Sequence, residues 1–207
     1  MYSGGNEALL YAIDADSHNG LEVSCAVIRD FNQDGGNDYL VGAWMDDTAG
    51  TDAGKVELIF GVDGSVLCTF LGSAPSDLLG FRIAPLGDTN GDGISDFALL
   101  AKDFGSPSRI MVYQGATALL LHSIVEDPSS GAGRTFSGAG DVNADGYAHI
   151  VVGVYDDDSH IAGAGNIRIL SGFDGSLLCS VFGQSAGDCL GSDFAVACDI
   201  NGDGYDD

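Results

Sequence analysis

Residues 88–101 read DTNGDGISDFALLA, an oxygen-rich loop running straight into an apolar strand. Asp88, Asn90, Asp92 and Asp96 hold positions 1, 3, 5 and 9 of the loop, and Gly93 holds position 6. Alternate residues of a tightly curled loop face one side, so this spacing gathers oxygens around one point, while the glycine permits the sharp turn. Asp, Asn and Gly are also ordinary turn formers, and one copy would not separate the two readings. The chain carries four: DFNQDGGND from Asp30, DTNGDGISD from Asp88, DVNADGYAH from Asp141 and DINGDGYDD from Asp199, with starts 58, 53 and 58 residues apart. A register kept over that span points to a metal-binding loop within a repeat.

Outward from each loop the same elements return. An apolar run follows it (YLVGAW from Tyr39, FALLA from Phe97, IVVGVY from Ile150), then two runs around a turn: VELIFGVDGSVLCTF from Val56, IMVYQGATALLLHSI from Ile110 and IRILSGFDGSLLCSVF from Ile167. VSCAVI from Val23, FRIAPL from Phe81, RTFSGA from Arg134 and SDFAVA from Ser192 precede the loops. The runs are short, rich in β-branched and aromatic residues and bounded by Gly or Asp, which predicts strands, and Asp-Gly in FGVDGS and SGFDGS predicts hairpins. Each repeat therefore supplies four antiparallel strands, and such units bury their faces only by stacking on neighbours. The predicted fold is an all-β β-propeller of four-stranded blades, with a solenoid as the competing geometry. The whole chain, 1–207, forms one such segment, with blades near 21–71, 80–125 and 134–183 and partial units at 1–20 and 184–207. Open sheet edges at both ends predict that missing blades, from the same or another chain, cover them.

The predicted ligands are side-chain oxygens with one backbone carbonyl per loop, at position 7. In the first loop they are Asp30, Asn32, Asp34, Gly36 and Asp38; in the second Asp88, Asn90, Asp92, Ile94 and Asp96; in the fourth Asp199, Asn201, Asp203, Tyr205 and Asp207. Six or seven hard oxygens including three carboxylates suit Ca²⁺ better than Mg²⁺, and the lack of His or Cys in these loops disfavours zinc and copper. The third loop offers Asp141, Asn143, Asp145 and Tyr147, but His149 stands at position 9. It is expected to bind Ca²⁺ least tightly, with His149 a substituted position rather than a zinc ligand. An EF-hand is excluded, because position 12 is Val41, Leu99 or Val152 instead of Glu and strands follow instead of a helix.

Asp and Glu outnumber Lys and Arg by 31 to 7, for a formal charge of −24. Such a chain repels nucleic acid and anionic lipid, and favours cations. No apolar stretch reaches the roughly 18 residues of a membrane span, and the N-terminus lacks signal-peptide order. The five cysteines lack metal-type spacing, and being odd in number cannot all pair internally. GQSAG at 183–187 matches the nucleophile-elbow pattern, but no histidine follows Ser185 and a repeat start does. No catalytic residues are assigned.

The loops, with Leu79-Gly80, Ala132-Gly133 and Leu190-Gly191 before the first strand and Gly42-Ala43-Trp44 after the second, resemble the FG-GAP repeats of integrin α N-terminal propellers. The LSGFDGSLL hairpin from Leu170 is closest to the secreted bacterial type. The flanks depart from the family's Phe-Gly and Gly-Ala-Pro; the loops match best. The resemblance implies part of a seven-bladed propeller, extracellular or at the cell surface, with up to four structural Ca²⁺ ions and a protein or glycan ligand. It places ligand contacts on the opposite face, in loops that include Asp46, Asp47, Asp52, Asp77, Asp103, Asp127, Asp156, Asp157, Asp158 and Asp188. The expected function is calcium-dependent adhesion or recognition without catalysis; the alternative is an accessory or carbohydrate-binding propeller of a larger secreted hydrolase or lyase.

Overall fold

The computed structural model describes residues 23–32, 34–102, 107–126, 135–197, 199–203 and 205–206. The partial repeat expected at 1–20, and the expected site residues Asp103, Asp127 and Asp207, lie outside them. Among the described residues, twelve strands form three four-stranded antiparallel sheets with neighbours in chain order. They are β1 (Val23–Ile28), β2 (Asp38–Ala43), β3 (Lys55–Ile59) and β4 (Val66–Leu71); β5 (Arg82–Gly87), β6 (Asp96–Ala101), β7 (Ser108–Tyr113) and β8 (Leu120–Glu126); and β9 (Thr135–Gly140), β10 (His149–Val154), β11 (Asn166–Leu170) and β12 (Leu177–Phe182). No helix among the described residues is long and apolar enough to cross a membrane. These are the four-stranded blades expected of a propeller-type repeat.

The chain divides into two compact units, Met1–Ile83 and Ala84–Asp207. In the first, Leu40, Val56, Leu58 and Ile59 are buried in the sheet β1–β4. The chain leaving β4 runs back along this sheet: Gly72 N donates to Gly54 O at 2.9 Å, Leu79 N to Ala53 O at 3.0 Å, and Gly54 and Leu79 form a parallel bridge. Ser24 Oγ donates to Gly80 O at 2.5 Å, and Gly42 sits beneath, where a Cβ would lie 2.6 Å from that carbonyl. Trp44 packs edge-on against Phe81 at 5.6 Å.

The second unit repeats the arrangement. Gly183 N donates to Gly165 O at 2.9 Å, Leu190 N to Ala164 O at 2.9 Å, and Thr135 Oγ1 to Gly191 O at 2.8 Å. Its two sheets stack directly: Ala148 N donates to Asp88 O at 2.7 Å, and a Cβ on Gly138 would lie 2.5 Å from Leu86 O. Both β6 and β10 are buried along their whole length, so they read as continuous apolar runs instead of alternating ones. The third strand of every sheet shifts register at the same place, between Leu58 and Ile59, Val112 and Tyr113, and Ile169 and Leu170. One expected strand differs: 192–197 is irregular.

Candidate metal loops

All four loops curl by one device, in which the side chains at positions 1, 3 and 5 accept hydrogen bonds from backbone N–H groups of their own loop. In the first, Asp34 N and Gly35 N donate to the two oxygens of Asp30 at 2.8 and 2.6 Å, and Gly36 N to Asp34 Oδ1 at 2.7 Å. In the second, Gly91 N and Gly93 N donate to Asp88 at 2.7 Å each, Asp92 N to Asn90 Oδ1 at 2.8 Å and Ile94 N to Asp92 Oδ1 at 2.8 Å. In the fourth, Gly202 N donates to Asp199 Oδ1 at 2.6 Å, Asp203 N to Asn201 Oδ1 at 2.9 Å and Tyr205 N to Asp203 Oδ1 at 3.0 Å. Position 6 is left-handed, with φ of 95°, 84° and 91° at Gly35, Gly93 and Gly146, the conformation for which glycine is suited.

Position 9 does something the spacing did not reveal. Asp38 and Asp96 are fully buried. Asp38 accepts from Phe31 N at 2.9 Å and from Gly61 N at 3.0 Å; Asp96 accepts from Thr89 N at 2.9 Å, Thr89 Oγ1 at 2.5 Å and Gly115 N at 2.8 Å. The carboxylate thus pins the start of its loop to the hairpin between the third and fourth strands. Burial pushes the Asp96 carboxyl above the ordinary carboxylate range; the bonds from Thr89 and Gly115 offset this only in part, and the Asp92 charge adds to it. Gln114, also unsuspected, donates to Asp92 Oδ2 at 2.6 Å and, as the largest influence, holds that carboxyl below its ordinary value. The hairpin dipeptides Phe60-Gly61 and Gln114-Gly115 were the available signal, since both glycines follow the third strand.

The third loop shares the curl: Asp145 N and Gly146 N donate to Asp141 at 3.1 and 2.8 Å, Asp145 N to Asn143 Oδ1 at 3.1 Å and Tyr147 N to Asp145 Oδ1 at 2.9 Å. His149 is fully buried and turns its Nε2 into the loop, 3.0 Å from Asn143 Oδ1, 3.8 Å from Asp145 Oδ2 and 4.0 Å from Asp141 Oδ1. Ligand atoms of Asp141, Asp145 and His149 lie within 4.8 Å of one another. Among the described residues no other three His, Cys, Asp or Glu side chains meet so closely; those of the first, second and fourth loops do not. A neighbouring carboxylate braces the third loop too, for Asp206 accepts from Asp141 N at 3.0 Å and from Asp199 N at 3.2 Å.

At the other end of the sheets, the connections expected to face a ligand are internally bonded. Asp46, Asp77 and Asp157 are buried, whereas Asp47, Asp158 and Asp188 are exposed. Asp46 accepts from Thr48 N at 2.8 Å and pairs with Lys55 at 3.2 Å; burial works against its charge, but these partners prevail and hold it below the ordinary value. Asp157 repeats this with Ser159 N at 2.7 Å and Arg168 at 3.6 Å, again against burial. Asp77 and Asp188 each cap a bend, from Ser73 N at 2.7 Å and from Ser185 N at 2.8 Å. Ser185 lies in a bend with no helix after it, which removes the nucleophile-elbow geometry. Cys25, Cys68, Cys179 and Cys189 are free thiols; Cys198 lies outside the described residues.

Acidic loops at one end of each four-stranded blade and braced turns at the other define a propeller-type repeat protein. No family model matches the sequence. The chain is 33% identical over 147 residues to mouse integrin alpha-IIb and 32% identical over 149 residues to human integrin alpha-IIb, covering in each case 62% of this chain and 14% of the relative. It therefore resembles an integrin-like FG-GAP propeller in sequence, while spanning about a seventh of those relatives' length. In structure it is similar to the rhamnogalacturonan lyase YesW (TM-score 0.55, 15% identity, 88% of this chain and 38% of that one). It is also similar to a rhamnogalacturonan lyase PL11 from Bacillus licheniformis (TM-score 0.52, 14% identity, 91% and 40%). At such identities the likeness extends to the fold alone.

Proposed function

We propose that this chain is a calcium-binding, non-catalytic segment of an extracellular propeller, used for adhesion or ligand recognition. One observation carries the reading: four loops present Asp, Asn and Asp at positions 1, 3 and 5 in the same register, each curled by the same bond from the position 5 N–H to the position 1 carboxylate. The donor set fits calcium, being hard oxygen throughout the first, second and fourth loops. Asp30, Asn32, Asp34 and Asp38 would hold one ion, Asp88, Asn90, Asp92 and Asp96 a second, and Asp199, Asn201, Asp203 and Asp207 another, with the carbonyls of Gly36, Ile94 and Tyr205. The Asp141 loop would hold Ca²⁺ least tightly. A bound ion neutralises carboxylates that otherwise repel one another, so binding is coupled to folding. Calorimetry should find several Ca²⁺ equivalents, and EGTA should lower Tm reversibly, with Ca²⁺ but not Mg²⁺ restoring it. An unchanged Tm, or equal occupancy of all four loops, refutes this account.

Recognition falls to the braced turns opposite the metal loops, where Asp47, Asp158 and Asp188 are exposed. Further blades, from this chain's parent or another chain, would cover the sheet edges. A second reading, an accessory or carbohydrate-binding propeller of a larger secreted hydrolase or lyase, draws on the names of the structural neighbours. Selective binding on a glycan array would favour it over protein adhesion.

A further inference from the structure

Sequence spacing gave His149 no part in metal binding, yet the fold turns it inward. We propose that the third loop is a mixed nitrogen–oxygen site for a first-row transition ion of the zinc class, built from His149 Nε2, Asp141, Asp145 and Asn143. This rests on the reading of the loops as metal sites, and it changes the ion that one of them prefers.

Three observations converge. His149 is fully buried at the first position of β10, and its Nε2 is aimed at the centre of the curl. Its one hydrogen bond is made by Nε2, to Asn143 Oδ1, and its Nδ1 has no partner, so the only polar contact of this buried ring is with the loop. The separations of 3.8 and 4.0 Å to the two carboxylates are too long for hydrogen bonds but suit atoms that share an ion. With metal–ligand distances of about 2.0–2.2 Å, tetrahedral zinc ligands stand roughly 3.4 Å from one another. The 3.0 Å between Nε2 and Asn143 Oδ1, and the 4.8 Å bound on the trio, need only small side-chain shifts to reach this.

The chemistry selects the same class of ion. Imidazole nitrogen is a good ligand for zinc, nickel or cobalt and a poor one for calcium, which also loses a carboxylate here. The first, second and fourth loops contain no nitrogen ligand of this kind. Elsewhere, His122 is half-buried on β8 and His160 is exposed against Phe182 at 5.5 Å, neither in such a cluster among the described residues. The bare Nδ1 lacks the outer hydrogen bond that tightens most histidine–metal bonds, so binding should be weaker than in a structural zinc finger.

The test uses Co²⁺ as a visible-absorbing probe, added to the intact protein in millimolar Ca²⁺. One Co²⁺ equivalent should bind with a d–d band and be displaced by one equivalent of Zn²⁺. His149→Ala should weaken Co²⁺ binding at least tenfold. His149→Asp restores the residue of the first two loops, so it guards against a variant that merely fails to fold, as circular dichroism would show. It should lose the Co²⁺ band and gain one tight Ca²⁺ equivalent. Absence of the band in the parent protein, or a band that survives both substitutions, overturns the inference. Calcium calorimetry on the same samples separates the two readings: Co²⁺ binding without any Ca²⁺ binding removes the calcium account and keeps this one.

Discussion

The second and third loops begin alike and end differently. Both curl by backbone donation to Asp at position 1 and Asn at position 3. In the second, the ninth residue is a buried carboxylate turned to Thr89 and Gly115. In the third it is a buried imidazole turned into the loop, where its Nε2 reaches Asn143 at 3.0 Å. Ligand atoms of Asp141, Asp145 and His149 lie within 4.8 Å of one another, a closeness that three carboxylates would oppose by mutual repulsion. One substitution at a fixed position thus separates a loop suited to hard oxygen-seeking ions from one suited to a nitrogen-accepting ion.

The largest expected effect comes from removing metal. A site filled at a thousandfold excess over its Kd contributes about 4 kcal/mol, or roughly 8–16 °C of Tm per site in a domain of this size. EGTA should therefore lower Tm by tens of degrees in the parent protein, and by roughly 8–16 °C less in a variant already lacking Asp88 and Asp92. Equal shifts in the two would deny that the second loop contributes.

Asp96→Ala should come next. It strips the buried Thr89 and Gly115 N–H groups of their acceptor, which costs about 2–5 kcal/mol by urea denaturation, even in EGTA. A loss below about 0.5 kcal/mol would show that the ninth carboxylate acts through metal alone.

Titration sharpens the contrast between the loops. Asp96 is raised by burial, so stability linked to its protonation is complete below about pH 4 and lost as pH rises through its folded value. Asp145 is lowered, chiefly by the Tyr147 N–H; its contribution is present above about pH 4 and lost as pH falls through its folded value. Carboxyl NMR in EGTA should find Asp96 titrating at the higher pH, and the reverse order would contradict the burial argument. The smallest effect belongs to Gln114→Ala, which removes an exposed bond to Asp92. It should cost about 0.5 kcal/mol and let the Asp92 carboxyl drift up toward its ordinary value.

Much of this was legible in the linear chain because local rules sufficed. Alternating oxygen-bearing residues with a glycine at position 6 specify a curl through bonds spanning at most five residues. The strands around it follow from short β-branched runs, and their order from tight turns. What was hidden depended on partners far along the sequence. Asp46, Asp77 and Asp157 look like a solvated acidic rim yet are buried, Asp46 paired with Lys55, Asp157 with Arg168 and Asp77 bonded across a bend. The run from Ser192 has strand composition yet is irregular at 192–197.

Sequence alone determined the repeat, its four-stranded unit and the acidic curls, since each is encoded within a few neighbouring residues. Tertiary structure decided where position 9 points: Asp96 reaches Gly115, 19 residues away, and His149 is driven inward by the burial of β10. Burial and long-range pairing depend on which surfaces meet, and one-dimensional spacing does not carry that information.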